Sequence, residues 1–372
     1  MKRVKEKIYP FFSEPIILFP VIVLAGFGII MVYSASYATA MHRFEDPLFY
    51  MQRQSLFCVI SITAMFVTSI LPYRVFKSLV YVFLFTGGVL LCLVLVPSLG
   101  IKAGGATRWL RLGAFSFQPA EFVKFALIVY LAYSMTRKQE MIKIFSVGFM
   151  PHVMVFAVFS LMILLQPDFG TVFILGLITW GMMFIAGVPI LHLLLPIPCF
   201  LPVVYFLVYK VHYRMERIFV FLDPWADPMD AGYQITHSLK AFGSGGIFGK
   251  GIGLGMQKLH YLPEAHTDFI FSIIGEEVGL IGVVVILVLF SAVILRGAKI
   301  ARHSDTLFGC FLAAGLTLSL GLQVLINIAV TLGALPTKGL TLPFLSYGGT
   351  SLLMNMACMG ILINIGADSR HE

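Results

Sequence analysis

The 372-residue chain is 59% hydrophobic and 12% charged, with a formal net charge of +8, which excludes an ordinary soluble domain, where apolar residues make up roughly 45–50%. The apolar residues fall in runs of about 20, long enough to cross a hydrocarbon layer as α-helices, and they lack the in-out alternation of barrel strands. The 26 Lys and Arg residues are scattered over short loops rather than gathered in one stripe, so membrane topology explains them and a nucleic-acid surface is excluded.

Met1 to Glu14 is basic and runs into a long apolar segment without a short hydrophobic core and cleavage site, so the first span is expected to be retained. Ten spans are predicted, near 16–37, 56–71, 76–96, 117–135, 145–165, 169–187, 189–209, 268–295, 307–332 and 347–366. The expected fold class is an all-α polytopic membrane protein, a single domain over 1–372. Helices 1–7 occupy 1–209, a large extracytoplasmic loop covers 210–267, and helices 8–10 follow in 268–372.

An even number of spans puts both termini on one side. With the N-terminus in the cytoplasm, Lys2, Arg3, Lys5, Lys7, Arg74, Lys77, Arg137, Lys138, Lys143, Arg296, Lys299 and Arg302 lie inside, the asymmetry that sets orientation in short loops. Gln118-Pro119 and Gln166-Pro167 each open a span, where proline suits the first turn. Cys58, Cys92, Cys199, Cys310 and Cys358 sit in or beside separate apolar runs and read as small core residues.

The interval from Lys210 to Glu277 gathers carboxylates, histidines, lysines and glycines in an otherwise apolar chain. A loop of this length with its own structure is more often functional than passive. Asp223 to Asp230 is rich in turn formers, and Ala231 to Phe242 forms a short helix with Ile235, Leu239 and Phe242 on one face, ended by Gly243-Ser-Gly-Gly246. The glycines at 243, 245, 246, 249, 251, 253 and 255 surround Lys250 but do not make a nucleotide site. A P-loop requires glycine where Ser244 stands and Ser or Thr where Gly251 stands, and no G-x-G-x-x-G occurs. Two readings stay open: a structural turn, or a flexible loop whose amides and Lys250 contact a diphosphate.

Asp268 precedes an apolar run, so it is either the N-cap of the eighth span or a general base or cation ligand at the membrane surface. Glu264 and His266 compete for the chemical role, and His266 also suits orienting a carboxylate. Ionisable groups inside spans are costly and face an interior, a cavity or a partner. At about 100° per residue, Glu276 lies roughly 80° from the Asp268 face and about 12 Å deeper, with Glu277 opposite. The two are not expected to serve one site: Glu276 points to a polar cavity beneath Asp268, and Glu277 pairs with a neighbouring helix. Glu121 and Lys124 stand three apart on the fourth span, suited to mutual neutralisation or, alternatively, to presenting Lys124 to phosphate. Arg108, Trp109 and Arg111 precede that span, with Trp a usual interfacial anchor and Arg a bidentate phosphate ligand. His152 and His192 read as packed or hydrogen-bonded span residues.

Several stretches together resemble the SEDS (shape, elongation, division and sporulation) family of bacterial cell-wall proteins. They are Met31 to Ser36, Gly105 to Leu110, Phe117 to Lys124, Gln166 to Thr171, residues 222–277, and Leu335 to Gly349, which together cover nearly the whole chain. Pro224-Trp-Ala-Asp-Pro228, Gln257-Lys-Leu259 and Gly275-Glu-Glu277 look more like the division and sporulation branch than the elongation branch.

The resemblance implies a ten-helix peptidoglycan glycosyltransferase that polymerises lipid II on the outer face of the cytoplasmic membrane, at the division septum or in sporulation. It also implies a class B penicillin-binding protein transpeptidase and other divisome proteins as partners. The family's essential aspartate corresponds to Asp268, its tryptophan before the fourth span to Trp109, its span lysine to Lys124 and its loop lysine to Lys338. The expected site is therefore Asp268 as base, with Lys124, Arg108, Trp109, Lys338, Lys250, Glu264 and His266 around the substrate and Glu121 and Glu276 in support. A divalent cation, Mg2+ or Mn2+, at Asp268 is compatible with this chemistry, and no nucleotide is expected. A lipid II flippase or a scaffold that activates the transpeptidase are the competing classes. A flippase requires a path to both faces, whereas the polar residues here cluster on the outer side.

Overall fold

The computed structural model describes residues 11–103, 106–113, 115–196, 223–230, 232–259, 262–336 and 339–369, with single residues at 198, 205 and 221. Lys338, Gly105, Cys199 and most of the predicted seventh span, 189–209, lie outside the described residues, as do the basic positions near the N-terminus.

Helices α1 (Pro15–Phe44), α2 (Phe49–Ile70) and α3 (Val80–Val94) follow the first three apolar runs. A three-stranded antiparallel sheet follows, of β1 (Gly100–Ala103), β2 (Ala106–Leu112) and β3 (Phe115–Phe117) in the order β1-β2-β3. Then come α4 (Pro119–Arg137), α5 (Met150–Leu164) and α6 (Phe169–Ala186). Next comes α7 (Tyr233–Gly245), and the bundle closes with α8 (Ile270–Arg302), α9 (Leu307–Thr331) and α10 (Gly349–Asp368). Among the described residues, seven helices are long and apolar enough to cross a membrane, and Val80–Val94 is a shorter apolar helix. The protein is a multi-pass, mostly helical membrane protein.

The sheet between α3 and α4 was not anticipated by an all-α reading. Its strands are short, so they leave no long alternating run in the sequence, and Ala106 and Leu110 are β2 residues buried beneath it. Two local expectations also change. Pro119 does open α4, but Gln166-Pro167 lies ahead of Asp168, the residue that caps α6 by accepting from the Thr171 amide at 3.2 Å. α8 is also longer than predicted and leaves helical geometry at Gly279, with φ 69° and ψ −168°.

The core is built where α4, α9 and α10 lie inside the other helices. α4 buries Val123, Leu127, Ile128 and Leu131 even though its first turn carries Glu121, because Lys124 neutralises that carboxylate from one turn further on, at 2.8 Å. α10 packs along α2, and Thr68 Oγ1 donates to the Ala357 carbonyl across the contact at 2.9 Å. At the other end of the bundle from the sheet, Glu14 receives two hydrogen bonds from Arg296, at 2.6 and 2.7 Å, tying α1 to α8.

Candidate functional site

Asp268 stands at the end of the segment 262–269 that leads into α8. The N-cap of α8 is Phe269, which makes no side-chain cap bond, and Asp268 stands one residue before it. Its side chain is half-buried. Glu264 makes the turn that delivers it: this residue adopts φ 53°, its carbonyl accepts from the amides of Thr267 and Phe269, and its carboxylate accepts from Thr267 Oγ1 at 3.0 Å. Buried Asn327 on α9 locks the same turn, with Nδ2 donating to the Asp268 carbonyl at 3.0 Å and to the Leu340 carbonyl at 2.6 Å.

That second bond brings the segment after α9 against the aspartate. A methyl group on Gly339 would lie 3.2 Å from Asp268 Oδ2 and 3.9 Å from Arg108 Nη1, so the carboxylate, the guanidinium and a bare backbone converge on one point. Arg108 reaches it from β2, opposite in chain position to everything else there. Its Nη2 donates to the Pro167 carbonyl at 2.7 Å, and its Nε lies 3.7 Å from Asp168 Oδ2. The α6 cap residue therefore also aims the arginine. A carboxylate with a half-exposed guanidinium at close range can take a proton from a sugar hydroxyl while the cation faces an anionic group.

His266 does not join that point. It is buried between Tyr50 and Tyr347, with ring centroids 4.6 and 5.8 Å away, and its carbonyl accepts from the Tyr347 amide at 2.9 Å. Burial holds its pKa below the usual histidine value, with Glu264 opposing that shift and Arg43 adding to it. Trp109 is half-buried in β2 and registers against Ile101 of β1. Lys124 is buried and paired with Glu121, the self-neutralised alternative of the two that the sequence left open. His152 is likewise a packed residue, its Nδ1 2.7 Å from the Gly148 carbonyl.

Glu276 corrects the sequence reading most clearly. It does not face a cavity beneath Asp268, but is covered by the glycine run. Its carboxylate accepts from Lys250 Nζ at 2.8 Å and from the amides of Met256 and Gln257 at 3.0 Å. Glu277 does pair with a neighbouring helix, through Ser34 on α1, yet the same loop also holds it, by Lys258 Nζ at 2.6 Å and the Gly253 amide at 3.1 Å. Both glutamates thus serve one brace, which the two-sided helical projection denied. The reason is that the loop folds over the helix rather than beside it. A methyl on Gly255 would come within about 3 Å of both carboxylates. The flexible-turn reading of the glycines gives way to a docked one, and Lys250 is engaged in it.

Lys258, Ser34, Asp168 and Asn327 were assigned no role from sequence. Three of them lie in the motifs Met31 to Ser36, Gln166 to Thr171 and Gln257-Lys-Leu259, so a signal existed, but their partners are remote along the chain. Among the described residues, no group of three or more His, Cys, Asp or Glu side chains is placed to hold a metal.

A family model described as "Cell cycle protein", FtsW/RodA/SpoVE, matches residues 15–371. The chain is 45% identical over 350 residues to the probable peptidoglycan glycosyltransferase FtsW of Geobacter sulfurreducens, covering 94% of each. It is 43% identical over 354 residues to the stage V sporulation protein E of Bacillus subtilis, covering 94% of this chain and 96% of the relative. Among solved structures, a chain from a peptidoglycan synthase complex that coordinates polymerization and crosslinking aligns with a TM-score of 0.76 at 28% identity, over 96% of this chain and 98% of that one. The rod shape determining protein RodA of Thermus thermophilus aligns with a TM-score of 0.67 at 27% identity, over 96% and 97%.

Proposed function

The chain belongs to the FtsW/RodA/SpoVE family of cell cycle proteins, and we propose that it is a peptidoglycan glycosyltransferase that polymerises lipid II with Asp268 as its base. The observation that carries this assignment is the convergence of Asp268 Oδ2 and Arg108 Nη1 on the bare backbone of Gly339. Asp268 accepts the proton of the acceptor sugar hydroxyl as that oxygen bonds to the donor anomeric carbon. The bond from that carbon to the lipid diphosphate breaks with inversion. Arg108, fixed by Pro167 and Asp168, stabilises the charge gathering on the leaving diphosphate. Lys124 and Lys250, each closed in an ion pair, are left out of this contact.

A divalent cation fits only in the manner typical of Mg2+, held by one carboxylate together with substrate phosphate oxygens and water. Asp268 is the residue that would hold it, and the ion would neutralise diphosphate charge. The reaction takes place on the outer face of the cytoplasmic membrane, with both termini inside. A class B penicillin-binding protein crosslinks the product, and other division proteins place the pair at the septum.

The test is polymerisation of fluorescent lipid II by the purified chain, with and without the transpeptidase, comparing Asp268→Ala and Asp268→Asn with the unaltered protein. Both variants are expected to remain folded and partner-bound while making no glycan. Normal polymer from either variant overturns the assignment, and lipid transfer across liposomes without new glycosidic bonds would point to a flippase.

A further inference from the structure

The glycine loop leaves a set of apolar side chains outside the protein. Phe248 is 81% exposed, Leu254 68%, and Ile247, Ile252 and Met256 are more than half exposed. In the same stretch the one charged side chain, Lys250, is turned inward to Glu276. A water-facing loop would show the opposite distribution.

What the loop is attached to fixes its depth. Where α8 breaks at Gly279, the helix cannot pair its own backbone groups, and the loop pairs them instead. The amides of Lys250 and Gly251 donate to the carbonyls of Glu276 and Glu277 at 3.0 and 2.9 Å, and the amides of Leu280 and Ile281 donate to the carbonyls of Gly246 and Ile247 at 3.0 and 3.2 Å. The approach is close enough that a methyl on Gly249, itself at φ 79°, would strike the Glu277 carbonyl, and one on Gly279 would strike the Gly249 amide. Broken helices are tolerated at membrane depth where other protein groups satisfy the freed backbone.

Counting about 1.5 Å per residue along α8 from Arg296, a hydrocarbon layer of about 30 Å reaches up to the neighbourhood of Glu276. The loop is bonded at that level. Its exposed side chains continue the exposed apolar face of α8 formed by Leu280, Ile281, Val284 and Val288.

We propose that residues 246–256 form a membrane-dipping segment whose apolar side chains contact the acyl chains of the outer leaflet. Glu276, Glu277 and the helix break hold the segment at that depth. The occupant is bilayer lipid because the surface is continuous with a lipid-facing span and its one charged side chain, Lys250, is neutralised by the Glu276 carboxylate at 2.8 Å. The inference concerns where the loop sits and stands apart from the reaction catalysed.

The experiment places a single cysteine at Phe248 or Leu254 in the full chain, with the native cysteines replaced, in phosphatidylethanolamine–phosphatidylglycerol vesicles. A fluorophore on that cysteine is quenched either by bromine on the lipid acyl chains or by aqueous iodide. Met229, 84% exposed on the Pro-rich part of the loop, is the water-facing control. Phe248→Cys and Leu254→Cys should be quenched several-fold more by the brominated lipid than by iodide, and Met229→Cys the reverse. Iodide quenching equal to the Met229→Cys control overturns the proposal. So does lipid shielding of Phe248→Cys that disappears when the transpeptidase is added, because the occupant is then a protein. Circular dichroism and retained lipid II polymerisation establish that the variants are folded.

Discussion

Two carboxylate centres lie close together along the start of α8, and their surroundings could hardly differ more. Glu276 and Glu277 are fully buried, each receives a lysine ammonium, Glu276 takes two backbone amides and Glu277 one, and the glycine loop closes over both. Asp268 is half-buried, and Arg108, which meets it at Gly339, stays partly exposed. A buried charge held by a lysine and backbone amides organises structure and is in no position to exchange protons with a substrate. A carboxylate at the rim with a guanidinium in reach can do so. The difference lies in what folds over each residue, because all three are acidic residues beside one apolar run.

The sharpest way to break this comparison is to take one partner from the brace. Lys258→Ala leaves Glu277 buried without its cation, and is expected to cost about 3–5 kcal/mol of stability. Thermal unfolding in detergent measures it, and the paired change Lys258→Met with Glu277→Gln should recover most of the loss. An unchanged unfolding temperature in the single variant would refute the brace.

At the other centre the loss should appear in rate. Arg108→Gln removes a donor aimed at the leaving group and is expected to lower kcat for lipid II polymerisation about 10²-fold with the protein still folded. Arg108→Lys restores the charge but not the fork and should recover only part. A change in KM alone would place Arg108 in ground-state binding.

Gly339→Ala probes the distance between the two groups directly. The added methyl sits 3.2 Å from Asp268 Oδ2, so it excludes water from one side of the carboxylate and raises its pKa. Activity should fall about tenfold, and the acid limb of the pH–rate profile should move to higher pH. A fall in rate with no movement of the limb would mean that the methyl merely misplaces the loop.

His266 gives the smallest effect. Burial keeps its folded pKa below the ordinary value of about 6.5, so between those two values the unfolded chain binds the extra proton. Stability is therefore complete above that ordinary value and declines as pH falls towards the folded pKa. His266→Phe, which keeps the ring between Tyr50 and Tyr347, should flatten this decline in unfolding measured across pH.

The amino-acid sequence by itself determined that this is a helical membrane protein, because runs of about 20 apolar residues have no other stable disposition in lipid. It also pointed to the short helix realised as Tyr233–Gly245 with Ile235 buried, since apolar period is a local signal, although the helix runs through Gly243 to a cap at Gly246. Asp268 stood out for the same reason, as an acidic residue at the start of a span.

Which acidic residues are braced and which face substrate was decided only by tertiary structure. Glu277 meets Ser34 across 243 residues and Asn327 holds Asp268 across 59, whereas helical periodicity reports the faces of one helix and not what covers them. The sheet that delivers Arg108 was hidden similarly, by strands too short to leave a period. The glycines read as a flexible turn until their neighbours were known: only the fold shows that their missing side chains let one backbone lie against another.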